Sequence, residues 1–318
     1  MRNVAIEYPE RGQMAFADLG EPPPPGPGEI LLRTRRSGIT NGTERHALLA
    51  EHVWGVFPSR HGYQHVAEVE AVGEGVTEFR PGQRVFYGQY VGHRAWHRVN
   101  VAAPHLVFPL PEEVEDETAA LFGVAGVAMR GARRCRVGAG DRVWVVGQGL
   151  IGQFTAQAAR ALGAHVTVTD VDARRLALAA EAGAHRVLNA QEPGTEAVLV
   201  AAGPFDRILD CSGMSGLLSQ IQRDRLLAHH GVIGLIAVRS GVTFDWSMLH
   251  GAVEGSIEVS CHFSLDDLRV LLHFVRTGVI QVTPLITHQV PISQAPKIYA
   301  TLRDRPGELL GVVFDWRA

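Results

Sequence analysis

Apolar and polar positions alternate in two different ways along this chain. Up to about residue 108 the apolar runs are short, and Gly or Pro closes each of them. Residues 3–7 and 14–19 read as a hairpin turning at 9–12. An extended connector, 21–29 (EPPPPGPGE), leads into strands at 30–36, 66–72, 95–99 and 106–108. Many short strands joined by Gly/Pro turns predict a small β-barrel. Between them, 37–45 (SGITNGTER) reads as a polar loop and 46–51 as a short helix. Residues 112–134 then read as one helix. From 142 the period changes: strands at 142–146, 165–169, 186–188, 206–210, 232–238 and 257–259 alternate with helices at 150–162, 173–182, 195–202 and 216–228. Such alternation predicts one parallel sheet with right-handed crossovers. A tail with a helix at 265–277, a strand near 280–288, a helix at 293–302 and a strand at 311–315 is expected to return to the barrel. The expected domains are 1–121, 122–260 and 261–318.

Composition narrows the class without naming a chemistry. An apolar fraction of 46% and a charged fraction of 20% describe an ordinary globular protein. The net charge of -3 gives no reason to expect nucleic acid or an anionic membrane as partner. Arg supplies nearly all the positive charge, Lys297 being the only lysine, and no function attaches to that bias. Cys135, Cys211 and Cys261 are too few and too scattered for a disulfide framework or a four-cysteine zinc lobe. The N-terminus has no apolar run of signal-peptide length, and no stretch approaches about 18 apolar residues. A cytoplasmic protein is expected.

The first chemistry lies in residues 141–175, DRVWVVGQGLIGQFTAQAARALGAHVTVTDVDARR. A β-branched strand runs into Gly147, Gly149 and Gly152 in G-x-G-x-x-G spacing, and Leu150 and Ile151 open the helix. In that context Gly147 permits the turn, Gly149 lets backbone N–H groups approach a pyrophosphate, and Gly152 lets helix and strand pack closely. The helix N-terminus adds partial positive charge. Asp170, ending the next strand, can accept hydrogen bonds from both adenosine ribose hydroxyls and would repel a 2′-phosphate, so NAD rather than NADP is expected. Arg175 and the segment Cys211, Ser212 and Gly213 are further cofactor-binding candidates. Cys211 is expected to pack beside the nicotinamide and not to act as a nucleophile.

Together VEAVGEGV (69–76), PGQRVF (81–86), GQGLIG (147–152), DCSG (210–213) and PLITHQVPISQAPKIYA (284–300) resemble the medium-chain dehydrogenase/reductase family. The resemblance implies an α/β fold: a Rossmann doubly wound parallel sheet inserted in a GroES-like β-barrel catalytic domain. It also implies a homodimer built by edge-to-edge pairing of the nucleotide domains. Many members hold a catalytic zinc through a Cys, the His of a G-H-E motif, and a later Cys or Asp. Those positions fall here at Thr40, at Gly62-Tyr63-Gln64 and near Val124, none a good zinc ligand. No cysteine stands at 86–109 for the family's structural zinc lobe. The nearby His46, His52, His61 and His65 lack a thiol partner and a recognised spacing, so no metal is expected. Within this zinc-free branch, SGITNGTE (37–44), Gly62–Tyr63 and the tail are similar to bacteriochlorophyllide a dehydrogenase-type proteins, which oxidise a hydroxyethyl group on a chlorin using NAD.

Without a metal, a hydrogen-bond donor or proton relay must manage the substrate hydroxyl. Thr40, Glu44 and Tyr63 align with or beside the lost metal positions and are catalytic candidates. His46 lies about one residue from the family's relay histidine. Competing structural roles are a buried ring at the barrel's mouth for Tyr63, an arginine partner for Glu44 and a surface helix position for His46. Trp54, Phe57, Tyr90 and Trp96 could line a pocket for a flat substrate or belong to the core. The expected activity is hydride transfer between NAD(H) and a secondary alcohol or ketone. The alternatives are a quinone or enoyl reductase using NADPH, and a non-catalytic NAD-binding protein.

Overall fold

The computed structural model describes residues 3–317. The chain forms two compact units, Met1–Gly123 with Val282–Ala318, and Val124–Gln281.

The second unit is built on a six-stranded parallel sheet. Its strand order is Arg186–Asn189, His165–Asp170, Arg142–Val146, Phe205–Asp210, Leu227–Leu235 and Ser256–Val259. Both faces are covered, which is why Val143, Val145, Val166, Val168 and Ile208 are all buried. Trp144 and Phe205 anchor one core cluster with Ile221 and Ile233, and the Trp144 indole N–H finds Thr169 Oγ1 at 3.0 Å. The strand order reverses at Arg142–Val146, whose neighbours lead off in opposite directions. Ligands of doubly wound sheets bind beyond the carboxyl ends of the strands at such a point.

In the first unit, Val4–Glu7 and Ala15–Asp18 form the expected hairpin. A seven-stranded sheet takes its strands in the order Ile286–Pro291, Gly311–Asp315, Glu29–Gly38, His65–Val72, Arg84–Tyr87 and Val107–Pro109, with Trp96–Asn100 also pairing on Glu29–Gly38. The end of the chain thus completes a sheet begun near its start: Val313 pairs with Gly38 and Phe314 with Ser37. Helix Ala295–Asp304 buries Ile298, Tyr299 and Leu302 in one cluster with Ala47 and Leu48. Trp54, Phe57 and Trp96, each partly buried, pack against that cluster.

Three expectations are corrected. The return to the barrel begins at Val282 and not at 261, because helix Leu265–Arg276 belongs to the nucleotide unit. Ser264 and Asp267 close a capping box at its N-terminus, and buried Asp267 is held by Arg130 and Arg133 of the earlier helix. The chain is then fastened where Gln157 and the Gln281 backbone exchange two hydrogen bonds. Residues 112–134 are two helices, Asp116–Ala119 and Phe122–Arg134. Asp116 there is gripped by Arg35 and Arg84 of the sheet. The polar loop is largely helix Asn41–Leu48: Glu44 accepts the Thr40 N–H at 2.8 Å, satisfying a donor that would otherwise oppose the turn. Among the described residues no helix is long and apolar enough to cross a membrane.

Candidate active site

In the nucleotide unit the site is made mostly of backbone. Strand Arg142–Val146 runs into Gly147, where φ is 85°, a conformation glycine adopts without penalty. A Cβ on Gly152 would stand 1.8 Å from the Gly147 carbonyl oxygen, so helix and turn touch only because that atom is missing. Helix Leu150–Ala161 starts after Gly149 with no side-chain cap. The N–H groups of Leu150, Ile151 and Gly152 therefore stand as donors for an anion such as a pyrophosphate.

Asp170 meets this turn from the neighbouring strand. Its Oδ2 accepts the Gln148 N–H, and its Oδ1 accepts the Val171 and Asp172 N–H groups, both at 2.8 Å. Arg175 sits in the first turn of the next helix, which Asp172 caps. Its carbonyl accepts Gln153 Nε2 at 2.7 Å, tying the two helices together.

The DCSG segment is organised by Asp210, a fully buried carboxylate. Its Oδ1 accepts from the Ser212 N–H at 2.9 Å, the Ser212 hydroxyl at 2.8 Å and the Gly213 N–H at 3.0 Å. Arg239 closes the other oxygen at 2.7 Å. Arg239 was not visible as a site residue in the sequence, because nothing local marks a lone arginine 29 positions away. The Cys211 thiol lies 3.4 Å from Thr155 Oγ1. Burial pushes it up to about 12, the behaviour of a packing residue and not of a nucleophile.

In the barrel unit the site is made of side chains from distant positions. Thr40 Oγ1 accepts the Gln64 amide at 3.2 Å. Glu44, 1% exposed, takes the Thr40 N–H, the Tyr299 hydroxyl and His93 Nε2, the last at 3.1 Å. His93 Nδ1 meets Ser37 Oγ at 2.9 Å, and Ser37 accepts the Trp316 indole N–H at 2.8 Å. As a carboxylate Glu44 can only accept, so His93 Nε2 donates to it. Burial works against the charge on Glu44. Attraction to His93 and hydrogen bonds from His93, Tyr299 and Thr40 overcome it, holding the carboxyl below its usual value. Burial and the Glu44 charge push Tyr299 well above the ordinary tyrosine value, so it remains a donor. Glu44 is thus paired with a histidine and a tyrosine, not with Arg36 or Arg45. Neither partner carried a sequence signal, His93 being one of 15 histidines and Tyr299 lying 255 residues away.

Tyr63 is 5% exposed and stacks on Tyr90, with centroids 5.8 Å apart. Tyr90 Oη lies 2.7 Å from His61 Nδ1, and His61 Nε2 lies 3.0 Å from Ser59 Oγ. Burial lowers the His61 pKa, which favours the neutral ring. The 61–62 backbone is pinned to 91–93 by three hydrogen bonds, which sets this aromatic group beside His93. His46 is not part of either set. Its Nδ1 lies 2.6 Å from Glu51, and its ring stacks on Trp54. His65 lies in the core against His97.

These positions do not fit a zinc ion held in the family's manner. Thr40 and Gln64 are neutral and bonded to each other, Tyr63 is packed against Tyr90, and the Val124 side chain has no donor atom. Glu44, the one carboxylate, already has three partners.

Comparison with known proteins supports the architecture. Residues 26–111 match the family described as alcohol dehydrogenase GroES-like domain, and residues 151–277 match the family described as zinc-binding dehydrogenase. The L-threonine 3-dehydrogenase of Chelativorans sp. (strain BNC1) is 29% identical over an alignment covering 92% of this chain and 92% of that protein. The enzyme of the same name from Anaeromyxobacter sp. (strain Fw109-5) is 28% identical, covering 92% and 93%. Among solved structures, 2R,3R-butanediol dehydrogenase from Bacillus subtilis superposes with a TM-score of 0.85 at 19% identity, over 98% of this chain and 99% of that one. Galactitol-1-phosphate dehydrogenase from Escherichia coli gives 0.84 at 19%, with the same coverage. At such identity the likeness is one of fold. A GroES-like unit interrupted by a doubly wound nucleotide unit, with both family matches in that order, makes this chain an oxidoreductase of the medium-chain dehydrogenase/reductase superfamily.

Proposed function

We propose that this protein is an NAD-dependent, zinc-independent dehydrogenase of a secondary alcohol, or the reductase of the corresponding ketone. The observation that carries this reading is the hydrogen bond between Thr40, at one of the family's metal positions, and Gln64, beside another, braced by the buried Glu44. Thr40 Oγ1 accepts from Gln64, so its own hydrogen is free to be given to a substrate oxygen, the task a Lewis acid performs elsewhere. Tyr90 and His61 offer a hydrogen-bonded path toward Ser59 for a proton leaving the hydroxyl. The Tyr90 ring, 41% exposed and backed by buried Tyr63, suits a flat substrate such as the chlorin of the resemblance. The curated relatives support a secondary alcohol more generally, since C3 of L-threonine carries one.

A bound nicotinamide supplies the hydride chemistry. The chain supplies the N–H groups of Leu150, Ile151 and Gly152 for the pyrophosphate. Asp170 serves the ribose hydroxyls, and Asp210 with Arg239 shapes the Cys211–Gly213 backbone. Asp170 also sets the choice of cofactor, because its carboxylate repels a 2′-phosphate.

The test is absorbance of the reduced cofactor with protein dialysed against chelator, offered secondary alcohols, ketones and quinones. Turnover that survives chelation and prefers NAD over NADP by about tenfold or more supports the reading. Asp170→Ser is expected to erase that preference. Turnover restored only by added zinc, or equal use of NADP by the unmodified protein, overturns it. Cofactor binding with no turnover of any of these substrates points to a non-catalytic NAD-binding protein instead.

A further inference from the structure

Where helix Asn41–Leu48 ends, the chain reverses through Ala50 and His52, both with positive φ (55° and 58°). Non-glycine residues take this conformation at a cost of about 1 kcal/mol or more each. The reversal folds the His52 ring against the edge of His46, with centroids 4.4 Å apart at 75°. It also sets Glu51 Oε2 2.6 Å from His46 Nδ1. One ligand atom from each of His46, Glu51 and His52 lies within 4.8 Å of the other two. Sequence alone discounted these histidines because they lack a thiol. The fold instead supplies a carboxylate, and it separates this pair from His61 and His65.

We propose that His46, Glu51 and His52 bind a divalent transition-metal ion of the zinc class. Two imidazoles and a carboxylate are a borderline-soft donor set that favours zinc, copper or nickel over magnesium or calcium. In a tetrahedral zinc site the ligand atoms stand about 3.3 Å apart. The cluster reaches this by opening the His46–Glu51 contact and drawing in exposed His52, with no change to the helix. The ion would sit at the C-terminal end of that helix, where the macrodipole favours a cation. Arg45 Nη1, 3.4 Å from Glu51 Oε2, is the cation it displaces. That guanidinium is partly exposed and can swing to solvent. Bound this way, the ion fastens His46, Glu51 and His52 across the turn, and because His46 lies outside the Tyr90–His61 proton path it is a structural ion and not a Lewis acid. Thr40 and Glu44 stand at the other end and on the buried face of the same helix.

The experiment is titration of the chelator-treated full-length protein with zinc by calorimetry, and with cobalt(II) by visible absorption. Neither readout depends on turnover, so a failure of the proposed activity leaves this test intact. One saturable equivalent is expected, with magnesium and calcium giving no heat. His52→Ala and Glu51→Gln are each expected to raise the Kd at least about tenfold. His230→Ala, in the fully exposed group His229, His230 and Glu254, is expected to leave it unchanged. Circular dichroism checks that each variant is folded. Absence of saturable binding overturns the proposal. So does an unchanged Kd in both His52→Ala and Glu51→Gln, or loss of binding in His230→Ala.

Discussion

The two units place chemistry in opposite ways. In the nucleotide unit the Gly147–Gly152 turn offers backbone N–H groups and a helix end, and side chains mainly brace it: Gln153 holds Arg175, and Asp210 holds Ser212 and Gly213. In the barrel unit the reactive candidates are side chains, drawn from the first helix, from the 61–64 segment, from 90–93 and from the returning tail. A backbone site tolerates changes in nearby side chains but not an added Cβ. A side-chain site tolerates changes in its loops but not the loss of a buried partner. The first kind suits a cofactor shared by many reactions, and the second suits a substrate that differs from one relative to the next.

Breaking the barrel site should have the largest effect. Glu44→Ala leaves His93 Nε2 and the Tyr299 hydroxyl without their acceptor in a dry core, and is expected to cost about 3–5 kcal/mol of stability. Urea denaturation measures this. A loss below about 1 kcal/mol would mean that the cluster is wet or malleable, and the contrast would fail.

Next comes the backbone site. Gly152→Val drives a Cβ into the Gly147 carbonyl, which is backbone and has no easy way to move. Overpacking of this kind costs about 1–3 kcal/mol, and nucleotide binding is expected to disappear altogether. Quenching of protein fluorescence by NADH reports the binding, and retained affinity would show that the helix approaches the strand less closely than described.

The last effect is spread over pH. His65 and His97 are buried in the barrel core, and burial, with charge repulsion from neighbours such as His93 and Arg94, holds both well below the ordinary histidine value. The unfolded chain therefore binds more protons than the folded one once pH drops under about 6.5. Stability is full above that value and is lost as pH falls, by about 1.4 kcal/mol per pH unit for each ring. Urea midpoints at pH 7 and pH 5 test this, and the double substitution His65→Leu with His97→Leu should flatten the slope. An equal slope in that variant would assign the acid sensitivity to other groups.

The nucleotide motif was legible because everything it needs is local. Strand, turn, helix and the carboxylate of Asp170 follow one another in 29 residues, 142–170. Their spacing alone prescribes which atoms meet. The parallel sheet followed from the alternation of periods, and the tail's return to the barrel from its lack of an evident core partner in the nucleotide domain. What the residues by themselves left open was partnership at a distance. Helix Leu265–Arg276 was read as part of the tail because its anchors, Arg130 and Arg133, lie more than 130 positions earlier. Thr40 and Glu44 were found by alignment with or beside the family's metal positions, but their partners Gln64, His93 and Tyr299 came only from the fold. Hydrogen bonds and burial act across space without regard to sequence separation. Only the tertiary structure could therefore show that Glu44 is buried in a closed network, and that His46 faces Glu51 and His52 instead.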